Sequence, residues 1–393
     1  MKTISAIKCR LYQAGMRFAC NLIKWPKPRV IKGDDALNKM VEDFNKREIK
    51  KPMVIMPSFL YKNPLIKNVL KTFEHHLEIR DLINPTVAAV EEIVEIYKKE
   101  NCDAMVVIGG GSVIDLGKGA AARIAHPRKT INKMKGVLKL NHKLIPLYAV
   151  PTTAGSGSEA TVCAVITDEA THEKSSINDP HLVPQVAVLD PRLTVSLPPY
   201  LTATTGMDAL THAIESYIGN SNTRKTKKDA IQATKLILDN IEEATLNGQN
   251  LQARQAMQEA ALLAGQAFTR AYVGYVHALA HKLGGQYNVA HGEANAILLP
   301  YVLEAYGEKG KRRLAHLASK IGQPDLDILE KIKSINNKLN IPSYVKELKE
   351  NDLMVLSARA AKEANPLYPV PVELDMSELK KILVKILPPK GTN

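Results

Sequence analysis

Between residues 50 and 190, short apolar runs of strand length alternate with helical periodicities. Met53 to Met56 reads as a short buried strand. Asn84-Pro85-Thr86 signals a turn and an N-cap, and Val87, Val90, Val94 and Tyr97 then recur on one helical face. Ala104 to Ile108 is the next strand and breaks off at Gly109-Gly110-Gly111. Leu147 to Val150, Val162 to Ile166 and Val186 to Leu189 supply three more. Such alternation argues for an open, mostly parallel sheet covered by helices.

After Pro198-Pro199 the texture changes. Helical patterns fill 206–219, 226–245, 251–270 and 273–284, and strand-like alternation becomes scarce. An α/β domain over 33–199, followed by an all-helical domain over 200–393, is the expectation. The first 32 residues form a third segment. There Ile4, Ile7, Leu11, Ala14, Phe18 and Leu22 fall on one helical stripe, closed by Trp25, Pro26 and Pro28. The stripe predicts a helix packed on the enzyme or on a neighbouring subunit. The alternative is contact of residues 1–24 with a membrane surface, because five Lys, three Arg and no acidic residue occupy positions 1–32.

Composition refines this picture in three ways. A chain of 393 residues, 45% hydrophobic and 24% charged, has apolar material for two cores. Its net charge of +13 is concentrated at the N-terminal end, and no nucleic-acid recognition motif accompanies it, so no nucleic-acid partner is expected. Cys9, Cys20, Cys102 and Cys163 show neither CxxC pairing nor zinc-finger spacing. They read as free thiols, and with no secretion signal the expected location is cytoplasmic.

Two loops invite an anion. Gly109-Gly110-Gly111-Ser112 joins a strand to a helix, where glycines admit a phosphate to the backbone and the helix dipole favours it. Its structural alternative is a plain strand-to-helix turn with Ser112 and Asp115 as a capping box. Pro151 to Glu159, rich in hydroxyls and glycines, follows the next strand. Two such loops on adjacent strands suit one extended ligand carrying a pyrophosphate. A second constellation lies in the helical half. Asp208 and His212 stand four apart, His277 and His281 repeat that spacing, and His291 follows Gly284-Gly285 and a short loop. Spacing of four puts both side chains on one helical face, so each pair can grip one ion. Three imidazoles and a carboxylate suit Fe(II), Zn(II) or another borderline divalent metal.

The strings GGGSVIDLGKG, PTTAGSGSEAT, GMDALTHAIESYI and YVHALAHKLGGQYNVAHGEANAILLPYV resemble the iron-containing (group III) alcohol dehydrogenase family, from about residue 33 to the C-terminus. The resemblance implies a Rossmann-like nucleotide-binding domain, then a helical domain, in a dehydroquinate synthase-like architecture with the active site in the cleft between. It implies that Asp208, His212, His277 and His291 are metal ligands and that His281 is a non-ligand histidine beside the nicotinamide. Coenzyme contacts fall on Gly110, Gly111, Ser112, Asp115, Thr152, Thr153, Ser156 and Lys174. One position departs from the pattern: where NAD-preferring members carry an acidic residue after the first strand of the fold, this chain has Pro57, with no carboxylate adjacent in sequence. NAD is the expected coenzyme, with NADP not excluded electrostatically.

The expected reaction is hydride transfer between a small primary alcohol or diol and NAD(P), with the metal as Lewis acid and His281 as proton relay. A polyol dehydrogenase is the nearest alternative. Glu215 reads as a surface carboxylate or a support to the ligands, and Glu159 as a helix-start residue. The resemblance also implies a homo-oligomer, a dimer or larger.

Overall fold

The computed structural model describes residues 2–169 and 173–389, with the side chains of 2–6 and Glu173 excepted. The chain divides into two compact units, one of residues 24–197 and one of residues 1–23 with 198–393. The boundary near 199 thus falls at 197/198. The N-terminal 23 residues belong to the helical unit, and the remainder of the 1–32 segment belongs to the α/β unit.

Among the described residues, nine strands build the first unit: β1 (Arg29–Lys32), β2 (Pro52–Met56), β3 (His76–Ile79), β4 (Ala104–Gly109), β5 (Gly136–Val137), β6 (Leu147–Pro151), β7 (Cys163–Asp168), β8 (Glu173–Asn178) and β9 (Val186–Leu189). Six form one sheet in the order β1-β9-β6-β4-β2-β3, every pair parallel. The Val162–Ile166 run joins a different sheet. As β7 it pairs antiparallel with β8 in a three-stranded sheet, so its alternation marks a hairpin rather than a further strand of the parallel sheet. Both faces of the main sheet are covered, which is why its central strands are apolar without a break. Met53, Ile55, Met105 and Val107 pack on one side with Val90, Ile93 and Val94. Val54, Met56, Val106 and Ile108 pack on the other with Leu37, Met40 and Phe44. Each such fully buried side chain contributes about 1.5–3 kcal/mol.

The helix expected from Val87 runs over Val87–Lys99 (α2), and Thr86 caps it by accepting the Ala89 N–H at 3.1 Å. The glycine turn opens α3 (Gly111–Ala125). The Ser112–Asp115 capping box does not form: Gly110 is the N-cap, Ser112 Oγ donates to the Ile83 carbonyl at 2.6 Å, and Asp115 accepts from Ser158 Oγ and the Val165 N–H. Glu159 lies in a short 3-10 turn, Ser158–Ala160, and is buried.

Long helices make the second unit: α4 (Pro199–Ile218), α5 (Arg224–Leu246), α6 (Leu251–Ala271), α7 (Tyr275–Tyr287), α8 (His291–Ala305) and, further on, α9 (Leu353–Ala364). Gly206 lets α4 lie against α5 and α6, since a Cβ there would stand 2.8 Å from Met257 and 2.9 Å from Ile241. Within this chain the N-terminal helix, α1 (Lys2–Leu22), turns a face other than its apolar stripe inward. Ile7, Leu11, Phe18 and Leu22 are 55–75% exposed, while Cys9 and Gln13 are buried. Gln13 Nε2 donates to the carbonyls of Pro366 and Tyr368, and Arg10 donates to those of Val370 and Pro371 and pairs with Glu373. The receiving surface offers carbonyl oxygens, so the donor-bearing face turns inward. No helix among the described residues is long and apolar enough to cross a membrane.

Candidate metal centre

Asp208, His212 and Glu215 lie along one face of α4, and all three are buried. His277 and His281 lie one turn apart on α7, and His291 is the first residue of α8. Two glycines bring these helices together. A Cβ on Gly292 would stand 2.6 Å from the Thr204 carbonyl oxygen, so only glycine lets the start of α8 reach the backbone of α4 and carry His291 to Asp208. A Cβ on Gly274, just before α7, would stand 2.6 Å from Glu215 Oε1. The glycine after His291 in the sequence motif therefore has a steric reason.

One ligating atom from each of Asp208, His212, His277 and His291 lies within 4.8 Å of the others. Asp208 Oδ1 is 3.5 Å from His291 Nε2 and 3.9 Å from both His277 Nε2 and His212 Nδ1. His212 is held between Phe268 and His277, with ring centroids at 4.1 and 4.5 Å. Burial, reinforced by the three neighbouring imidazoles, drives the His277 pKa well below its ordinary value, which leaves the ring neutral with a lone pair to give.

A further residue, Asn295, stands four positions after His291 and is fully buried. Its amide Nδ2 reaches Asp208 Oδ1 at 2.7 Å, His291 Nε2 at 3.1 Å and His277 Nε2 at 3.4 Å. Acceptors from three ligands thus converge where positive charge is wanted. A carboxylate with three imidazoles is a donor set that fits a divalent iron or zinc ion.

Glu215 is no surface carboxylate. It accepts the His277 Nδ1 proton at 2.6 Å and the N–H groups of Gly274 and Val276 at 2.7 and 2.9 Å. That pattern fixes the tautomer of His277 that presents Nε2 to the ligand cluster. Burial pushes the Glu215 carboxyl up to about 8 against the pull of those backbone donors. A cation at the four donors acts in the other direction.

His281 does not join the donor cluster. Its ring stacks on His291 at 5.5 Å, and its Nδ1 meets Glu363 Oε1 at 2.7 Å. Tyr368 also donates to that oxygen at 2.7 Å, and Lys282 pairs with the other. Glu363 is held down at about 2: burial opposes its ionisation, but the hydrogen bonds and charges of His281 and Lys282 prevail. This support comes from α9, 82 residues away from His281, and no local spacing announces it.

In the α/β unit the two glycine-rich loops interlock. β4 and β6 are neighbours, and Thr152 N–H donates to the Gly109 carbonyl at 3.0 Å. A Cβ on Gly111 would stand 2.8 Å from Ser156 Oγ, and one on Gly110 would meet Thr153 at 3.6 Å. Gly110, Gly111, Thr152, Thr153 and Ser156 thus stand together at the carboxyl ends of β4 and β6, beside the start of α3, where backbone N–H groups and the helix dipole favour an anion. Ser112 and Asp115 direct their side chains to Ile83, Ser158 and Val165, bracing the two loops. Lys118, fully buried, adds a staple with donations to Thr161 and Cys163 at 2.8–2.9 Å. Lys174 sits exposed on β8, in the smaller sheet, and the preceding Ala170–His172 of its motif lie outside the described residues.

A buried carboxylate–imidazole donor set in one unit and two glycine-rich loops at the carboxyl ends of adjacent parallel strands in the other are the marks of a metal-dependent, nucleotide-using enzyme. The chain belongs to the iron-containing alcohol dehydrogenase family: the profile of iron-containing alcohol dehydrogenases matches residues 26–191, and that of the family's C-terminal domain matches residues 202–387. An NAD-dependent methanol dehydrogenase from Bacillus methanolicus is 37% identical, over 79% of this chain and 86% of its own. A 1,3-propanediol dehydrogenase from Klebsiella pneumoniae is 39% identical, over 72% and 76%. Among solved structures, an alcohol dehydrogenase from Oenococcus oeni superposes with a TM-score of 0.87 at 34% identity, covering 92% of this chain and 99% of its own. A 1,3-propanediol oxidoreductase gives 0.86 at 32% identity, covering 93% and 99%.

Proposed function

We propose that the chain interconverts a small primary alcohol or diol and its aldehyde, passing hydride to and from NAD, with Fe(II) as the resident ion and Zn(II) as the alternative. The observation that carries this reading is the convergence of Asp208, His212, His277 and His291 on one point. The relatives named for methanol and 1,3-propanediol support a small substrate. When bound, the divalent ion supplies Lewis acidity toward the substrate oxygen.

The remaining work falls to side chains. Glu215 keeps His277 in the tautomer that offers Nε2, and Asn295 orients the Asp208 carboxylate. His281, half-exposed and anchored through Nδ1 by Glu363, has Nε2 left to hold or pass a proton. The interlocked loops hold the coenzyme pyrophosphate through backbone N–H groups and hydroxyls.

The test is metal analysis of anaerobically purified protein, paired with an assay of NAD and NADP reduction over a panel of short alcohols and diols. One equivalent of iron or zinc per chain and NAD-linked turnover are expected. His277→Ala and His291→Ala should lose both, whereas His281→Ala should keep the metal and slow turnover. Full turnover with either ligand removed would overturn the reading.

A further inference from the structure

The family resemblance places an acidic, ribose-binding position at the tip of β2, where this chain has Pro57, whose side chain accepts nothing. Sequence adjacency suggests that no carboxylate replaces it. The sheet says otherwise. β3 runs parallel to β2 with Ile79 beside Met56, and Arg80 N–H donates to the Met56 carbonyl at 2.9 Å. One residue later, Asp81 reaches across the strand pair and accepts the Ser58 N–H at 2.8 Å. The carboxylate missing from the tip of β2 is supplied from the tip of β3.

Its setting suits recognition rather than mere bracing. Asp81 is exposed, so the carboxylate retains lone pairs beyond those that the Ser58 N–H and side chain take. The neighbouring guanidinium of Arg80 is engaged elsewhere, with Glu78 at 3.2 Å and Glu92 at 3.1 Å, and so is committed to other carboxylates. Strand order places β3 two strands from β4, whose glycine turn is proposed above to hold the pyrophosphate. Two strand spacings are about 10 Å, a span that one nucleotide covers. A carboxylate accepts both hydroxyls of a free ribose but faces a 2′-phosphate charge against charge.

We propose that Asp81 is the residue that discriminates between coenzymes in this chain, accepting the adenosine ribose hydroxyls of NAD and repelling the 2′-phosphate of NADP. The inference rests on the nicotinamide-dependent reading above.

The test measures equilibrium binding of NAD and NADP separately to the metal-loaded enzyme by calorimetry, without turnover. Asp81→Asn is the variant of choice, because its amide oxygen can still accept the Ser58 N–H while the charge is removed. The parent should bind NAD on the order of ten- to a hundred-fold more tightly than NADP, and the variant should lose most of that ratio, chiefly by gaining NADP affinity. With the parent alone, raising salt should narrow the ratio as the repulsion is screened; this arm decides the matter should the variant fold poorly. A parent that prefers NADP, or a ratio that neither the variant nor salt alters, overturns the assignment to Asp81 and leaves the nicotinamide reading standing. A parent that binds neither coenzyme overturns that reading and the assignment with it.

Discussion

Glu159 shows how burial writes a pH dependence into one side chain. It is 2% exposed at the end of the second glycine-rich loop, and burial pushes its carboxyl from 4.5 to about 7. The folded state therefore holds the proton more tightly than the unfolded chain does. Its share of stability is fully present below pH 4.5 and is lost as pH rises through 7. Glu159→Gln removes this dependence, so its stability advantage over the parent should grow by about 3 kcal/mol between pH 4.5 and 8 in denaturant titrations. A constant difference would show that Glu159 ionises freely. Glu215 gives a second residue-scale prediction. Glu215→Ala strands two backbone N–H groups and His277 Nδ1. Metal affinity in chelator competition should fall about 10- to 100-fold, and stability by about 1–3 kcal/mol per orphaned donor. Spacings of four, and a histidine closing a short loop, brought Asp208, His212, His277, His281 and His291 forward, and the family resemblance rather than the spacing set His281 apart from the four candidate ligands. Glu215 was legible only as sharing that face: periodicity does not say that Gly274 will close over it. Glu363 and Asp81 act across gaps in sequence that only the fold closes.

At the scale of elements, close approach of helices matters more than helix formation. Gly292→Ala places a methyl 2.6 Å from a backbone oxygen of α4, so α8 must move and take His291 with it. The expected cost is about 1–3 kcal/mol, together with a fall in bound metal per chain measured by elemental analysis; unchanged occupancy would mean that α8 yields without moving His291. The N-terminal helix supplies a paired comparison. Gln13→Ala abandons two carbonyls and should cost about 1–3 kcal/mol in thermal or denaturant unfolding. Phe18→Ser, at a position 69% exposed, should stay within about 0.5 kcal/mol. The reverse ranking would mean that the helix docks by its apolar side. Its stripe could be read from the sequence, but its direction could not, because direction depends on the carbonyls that residues 366–371 present.

For the whole molecule, the alternation of strands and helices revealed a parallel sheet followed by a helical unit, since a sheet covered on both faces leaves unbroken apolar strands. The strand order did not emerge, nor did β1, β3, β5 and β8, which are short or carry polar side chains. The assignment of residues 1–23 to the helical unit was equally hidden. That assignment has a temporal side. Arg10 finds its carbonyl on Val370, 360 residues later in the chain. At translation rates of about 5–20 residues per second, roughly 20–70 s pass before the seat for the first helix exists. Throughout that interval the α/β unit can complete its own sheet on the ribosome, while this helix waits unseated, a natural client for chaperones and a target for proteases. A helix made before the sheet is put in place after it.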